Sequence, residues 1–205
     1  MAALSTDKQI VNKISNHRRG KIFFPENFVE TGSVDAIRQA LHRLEQDKFL
    51  VRLTHGIYLY PKKDEVLGVL YPPVEEIAQA IARRDKARII PTGVHALNKL
   101  GLSTQVPMKV VYLTDGAPRD IQVGNRRIRF KKTTPKNLAM KGEISGLVIQ
   151  ALREIGKDKA TPEQLERIGK LLKDEKPETI SHDARLAPAW IAKIMRSALR
   201  NNKKL

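Results

Sequence analysis

The sequence predicts an α+β fold in two parts: a small helical module closed by a β-hairpin, then a larger mixed module. Three observations predict it. Helical hydrophobic spacing over 33–47 runs straight into two short strands, FLVRL and IYLYP, joined through Thr54, His55 and Gly56. A stretch with proline at both ends and charges between, PKKDEVLGVLYPP at 61–73, then interrupts the pattern. Beyond it, helical and strand signals come in clusters, an α+β order rather than a βαβ alternation. The expected domains are 1–62 and 63–205, both within ordinary domain sizes.

The elements follow in order. Thr6 with Gln9 three residues on has the form of a capping box, and Ile10, Val11 and Ile14 give the first helix an apolar face. HRRG at 17–20 supplies cations and a glycine for its C-terminal end. Pro25 opens a short second helix with Glu26 in its first turn. Ser33 caps the third helix, with Asp35 near the positive pole.

In the second part, PVEEIAQAIAR is a helix with acids in its first turn, RIIP a short strand, and TGVHALNKLG a helix stopped at Gly101. MKVVYLTDG and IQVGNRRIRFKK are strands, expected in an antiparallel sheet with turns at Asp115-Gly116 and Gly124-Asn125. ISGLVIQALREIG is an apolar, buried helix. Thr161, Pro162 and Gln164 start another helix as cap, first-turn residue and box partner. The last helix begins near Pro188 and carries Trp190, Ile191, Ile194, Met195 and Leu199.

Charge bears most directly on function. The 205 residues carry 38 Lys+Arg against 22 Asp+Glu, a formal +16, the electrostatic footprint of a polyanion binder. There is no cysteine, which excludes disulfides, zinc–thiolate sites and a cysteine nucleophile. No signal peptide pattern and no membrane-length apolar run occur, so a cytoplasmic, membrane-free protein is expected.

In the third helix Val34, Ile37, Leu41 and Leu44 form one apolar stripe at about 100° per residue. Opposite it falls Gln39, with Asp35, His42, Arg43 and Gln46 around it and Arg38 on the flank. Gln39 suits a bidentate contact to adenine and Arg43 one to guanine. Arg38, Thr31, Ser33, Arg18, Arg19 and Lys21 are candidate phosphate contacts. Arg52, Thr54 and His55 lie on or near the hairpin tip. Three helices followed by such a hairpin is the order of a winged helix-turn-helix. Helix 33–47 would then read the major groove, and the 53–57 turn would steady it on double-stranded DNA.

The stretches IRQALHRLEQDKFLVRLTHGIYLYP, IIPTGVHALNKLGLSTQVP, VVYLTDG, VGNRRIRFKK, GLVIQALREIG and DARLAPAWIAKIM follow one another along the chain. In that order they resemble the AbiEi-type antitoxins of bacterial type IV toxin–antitoxin systems. The resemblance implies a winged N-terminal domain that binds inverted repeats in its own promoter and represses it. It also implies a C-terminal antitoxin domain that opposes a nucleotidyltransferase-like toxin without a stable complex. No antitoxic residue maps onto this chain.

A second basic feature is RRIRFKK at 126–132. Alternation puts Ile128 and Phe130 on one face and Arg127, Arg129 and Lys131 on the other, a cation row of about 6.6 Å pitch. Arg119 and Lys136 extend it. This row is a candidate second nucleic-acid face, and it supports the alternative of an RNA-binding protein. A DNA-binding regulator with no toxin partner is the other alternative. No catalytic centre, metal site or cofactor is expected. The five histidines are scattered, GEISG has Ile144 at the central position of a nucleophile elbow with Ser145 displaced from it, and no phosphate-cradling glycine loop occurs.

Overall fold

The computed structural model describes residues 4–201, and it is α+β. Contacts divide the chain into two compact units, one reaching Ala80 and including Gln122–Gly124, the other Ile81–Ile121 with Asn125 onward. The division falls later than the 62/63 boundary expected from sequence. The stretch at 61–73 is ordered as a hairpin, β4 (Lys62–Asp64) with β5 (Gly68–Leu70), and is grouped with the first unit. Asp64 closes its turn by accepting the N–H groups of Val66 and Leu67, both at 2.9 Å.

The first unit contains α1 (Thr6–Ser15), β1 (Ile22–Phe23), a 3-10 helix (Pro25–Thr31), α2 (Val34–Gln46), β2 (Val51–Thr54) and β3 (Ile57–Leu59). The cap of α1 lies one residue before the expected position. Ser5 accepts the Lys8 N–H, and Gln9 reaches back to the Leu4 carbonyl. The Thr6 hydroxyl is freed to donate instead to the Thr31 carbonyl, 3.1 Å away, tying the start of α1 to the end of the 3-10 helix. α1 also ends earlier than expected, at Ser15, so the HRRG cations lie beyond it. Pro25 opens its element as predicted, but the turns are 3-10 rather than α.

Ser33 caps α2 as expected, accepting the Ala36 N–H at 3.3 Å. The sheet has a third strand that the sequence reading omitted, in the order β1-β3-β2. Its middle strand β3 is buried along its length. Ile10, Ile14, Phe23, Phe28, Ile37, Ala40, Leu41, Leu44, Leu50, Tyr58 and Tyr60 form this unit's core.

α3 (Val74–Arg84) spans the division. The second unit holds β6 (Ile89–Thr92), α4 (Val94–Lys99), β7 (Lys109–Thr114), β8 (Arg119–Val123) and β9 (Arg126–Lys132), then α5 (Glu143–Ile155), α6 (Pro162–Leu172), α7 (Pro177–Leu186) and α8 (Ala189–Asn201). Its sheet has the order β6-β7-β9-β8 and is mixed: β6 pairs antiparallel with β7, but β7 and β9 run parallel. Asp115 is therefore not a hairpin residue. It accepts the Arg88 backbone N–H at 2.7 Å and the Arg88 guanidinium at 2.8 Å, pinning the approach to β6. The turn at Gly124-Asn125 does join paired neighbours, β8 and β9.

Val110, Tyr112, Ile128 and Phe130 are buried on the sheet. α5 is the most buried helix of its unit, every residue from Ser145 to Leu152 being buried. The predicted box on α6 is present in both directions, Thr161 with Gln164 at 3.2 and 3.0 Å. Ile191 and Met195 of α8 are buried in the same core, with Trp190 and Ile194 packed against it.

Candidate nucleic-acid interface

The face of α2 depends on which residues make its buried stripe. Ile37, Ala40, Leu41 and Leu44 are buried, whereas Val34, expected in the stripe, is 60% exposed. Replacing Val34 by Ala40 rotates the buried stripe by roughly 30° about the helix axis, at about 100° per residue. The outward centre moves from Gln39 toward Asp35, His42 and Gln46. Gln39 then lies about 30° to one side of that centre, and Arg38 and Arg43 lie about 70° to either side of it, Arg38 having turned toward it and Arg43 away. The spacing of Ile37, Ala40, Leu41 and Leu44 (i, i+3, i+4, i+7) carried this signal, but the small Ala40 side chain conceals it.

The rotation has a chemical consequence. Arg43 donates from Nε and Nη2 to the two carboxylate oxygens of Asp7 on α1, both at 2.7 Å. The hydrogen-bonded Arg43 guanidinium holds the Asp7 carboxyl below its usual range. With its fork occupied, Arg43 would have to leave Asp7 before it could grip a guanine edge. Arg38 is exposed, and its nearest acid is Asp35 one turn back, 3.7 Å away. Gln39 is exposed, and its side-chain amide has no hydrogen-bond partner among the described residues. His42 lies 3.6 Å from Glu45.

The candidate phosphate contacts divide into engaged and open groups. Arg19 donates to the Pro61 carbonyl at 3.1 Å and stacks over the Tyr60 ring, 4.7 Å from its centroid. Lys21 sits 3.1 Å from the His17 ring nitrogens and over Phe23. The Thr31 hydroxyl donates to the Phe28 carbonyl, and the Ser33 hydroxyl caps α2. Arg18 is exposed, with no ion pair among the described residues.

At the hairpin tip, Gly56 adopts the left-handed φ of 68° that the short turn requires. Arg52 donates to His55 Nδ1 at 2.9 Å. Because a guanidinium cannot accept, Nδ1 is the acceptor and the imidazole proton sits on Nε2, where it can donate to a further partner. Thr54 is half-buried beside it.

The basic strand β9 has the predicted alternation, with Ile128 and Phe130 buried. Its cations are nevertheless not a free row. Arg127 and Arg129 converge on Asp120 of β8, Arg127 Nη2 at 3.1 Å, and Arg129 through Nε at 2.6 Å and Nη2 at 2.5 Å. The hydrogen bond from Arg129, with the charges of Arg127, Arg129 and Lys109, keeps the Asp120 carboxyl below its ordinary range. Arg119, expected to extend the row, is paired with Asp85. Lys131 remains exposed.

A polar cluster centred on the buried Asp183 and Ser145 surrounds the N-terminus of α5. Asp183 is fully buried and accepts from the Lys141 and Gly142 N–H groups at 2.9 Å, the Ser145 hydroxyl at 2.5 Å and His182 Nδ1 at 2.8 Å. Glu175 accepts the Ile144 and Ser145 N–H groups, both at 2.9 Å. Burial pushes the Asp183 carboxyl up, but its hydrogen bonds outweigh that and hold it below the usual range. Two carboxylates thus satisfy the orphan donors of a partly buried helix end. Ser145 donates to Asp183 and makes no hydrogen bond to the His182 imidazole, which is bonded to the other oxygen of the same carboxylate. Gly142 is needed here, since a Cβ would collide with Glu175 and Ser145.

Among the described residues, no group of three or more acids and histidines is placed to hold a metal ion, and no helix is long and apolar enough to cross a membrane.

Residues 9–180 match the model of the family described as "Family of unknown function (DUF6088)", and the chain belongs to that family. No curated protein matches the chain significantly. Among solved structures it is similar to the RV2827C protein from Mycobacterium tuberculosis, at 13% identity and a TM-score of 0.45, covering 95% of this chain and 82% of that one.

Proposed function

We propose that this protein is a sequence-specific DNA-binding regulator that reads a major groove with the outward face of α2 and rests its β2–β3 tip on the adjoining backbone. The observation that carries this reading is the open face of α2: Arg38, Gln39 and His42 stand exposed on the last helical element before a three-stranded wing. The formal +16 supports it, because phosphate neutralisation supplies the sequence-independent part of DNA affinity. Arg38 and Gln39 are the base-reading pair. Arg43 is a positioning residue that locks α2 to α1 through Asp7, and Arg18 and the His55 Nε2 proton are the phosphate contacts.

The resemblance to AbiEi-type antitoxins supports a fuller reading. The chain would be a bacterial, cytoplasmic autorepressor of inverted-repeat promoter DNA. Its second unit would oppose a nucleotidyltransferase-like toxin without a stable complex and without catalysis of its own. That half stands on the resemblance alone.

The test is a mobility shift of the purified chain on the DNA upstream of its own coding sequence, with excess nonspecific competitor. A shifted band that survives competitor supports the reading. Complete loss of the band to competitor overturns it.

A further inference from the structure

Val34 is the first residue of α2 after its Ser33 cap, and it is 60% exposed although it was expected in the core. A lone exposed valine on an arbitrary surface carries no message. This one stands at the N-terminal end of the proposed reading helix, and in helix-turn-helix docking the N-terminal residues of that helix meet the base edges. Arg38 follows at i+4, so the two side chains are neighbours on one flank of α2. Val34 has no polar group, and its β-branched side chain holds few rotamers, so it presents fixed methyl groups at little entropic cost. In the major groove, one base feature is read by apolar contact: the C5-methyl of thymine.

We infer that Val34 is a specificity-determining residue that packs against a thymine methyl beside the base gripped by Arg38. This rests on the proposed role of α2 and adds a recognition chemistry to it. A valine in van der Waals contact with one methyl excludes water from about one methyl group, worth roughly fourfold in affinity.

The experiment uses a duplex enriched by the full-length protein from a random library. Each thymine is replaced singly by deoxyuridine, which lacks only the methyl, and affinity is measured by fluorescence anisotropy. For the wild type, one thymine per half-site should show a loss of about fourfold on replacement. Val34→Ala should bind the thymine duplex about fourfold more weakly and be indifferent to replacement at that position. Val34→Ala changes an exposed position, and its thermal midpoint should match that of the wild type.

Indifference of the wild type to every replacement overturns the inference while leaving α2 as the reader. Retention of full thymine discrimination by Val34→Ala overturns it equally. A library that yields no enriched sequence removes the DNA-reading proposal itself, and this inference with it.

Discussion

Helix α2 and strand β9 are both basic segments with one buried face, yet they differ in which side chains stay open to a partner. β9 carries five Lys and Arg residues in seven, and α2 carries two arginines and a histidine. On β9, the two arginines of the outward face share one carboxylate, that of Asp120. On α2, Arg43 is tied to Asp7, while Arg38 and Gln39 stay exposed. Arg38 has only a loose pair with Asp35, and exposed pairs of that kind are easily exchanged for phosphate or base. Counting cations ranks β9 first before and after internal pairing, since Arg126, Lys131 and Lys132 stay exposed there; what α2 adds is the open amide of Gln39, a group suited to reading a base edge.

The largest effect that sharpens this contrast should come from Arg38→Ala/Gln39→Ala. Two bidentate contacts at about 1–3 kcal/mol each predict a loss of about thirtyfold or more in affinity for an enriched duplex. Affinity for scrambled DNA should change far less. Anisotropy titrations on both duplexes check it.

Asp120→Ala should come next. It releases Arg127 and Arg129, so affinity for generic DNA should rise. The log–log salt slope should steepen by about 1–2, since each added phosphate contact contributes about 0.9. An unchanged slope would show that β9 faces no nucleic acid even when its charge is freed.

A smaller effect separates positioning from reading at Arg43. If Arg43 anchors α2, then Asp7→Ala and Arg43→Ala should lower the thermal midpoint alike, and the double variant should be no worse than either. If Arg43 instead read guanine, Asp7→Ala would strengthen specific binding and Arg43→Ala would weaken it.

The smallest effect is its pH dependence. The Asp7 carboxyl is held below its ordinary value in the folded chain, so its contribution to stability is complete above about pH 4, where the unfolded carboxyl is ionised. That contribution disappears as pH falls through the lower folded value. The midpoint difference between wild type and Asp7→Asn should therefore be constant from pH 7 to pH 5, and should close in more acidic buffer.

Much of this architecture was legible in the sequence, for local reasons. The Ser33 cap, the Thr161–Gln164 box, Pro25 and the stop at Gly101 each depend on residues within a turn of one another, and all are present. The buried faces of β9 and α5 followed from alternation and from an unbroken apolar run. What escaped depended on distant partners. The parallel pairing of β7 with β9 made Asp115 a clamp for Arg88 rather than a hairpin residue. β1 is two residues long and gains its identity only by pairing with β3. The α2 face was placed roughly 30° off, because Val34 looked like a better core residue than Ala40. Asp7 lies 36 residues from the arginine it binds, and no periodicity signals such a pair. The same holds for Asp183, whose bonds to 141, 142 and 145 reach back 42, 41 and 38 residues.

The most direct measurement of the central claim is the ratio of affinities for an enriched and a scrambled duplex, taken for two variants side by side: Arg38→Ala/Gln39→Ala on α2, and Arg127→Ala/Arg129→Ala/Lys131→Ala on β9. Reading by α2 predicts that the ratio collapses toward unity in the first variant and stays within about twofold of wild type in the second, since phosphate contacts carry no sequence information. A ratio that survives the first variant and collapses in the second would contradict it, and would place sequence recognition on the basic strand.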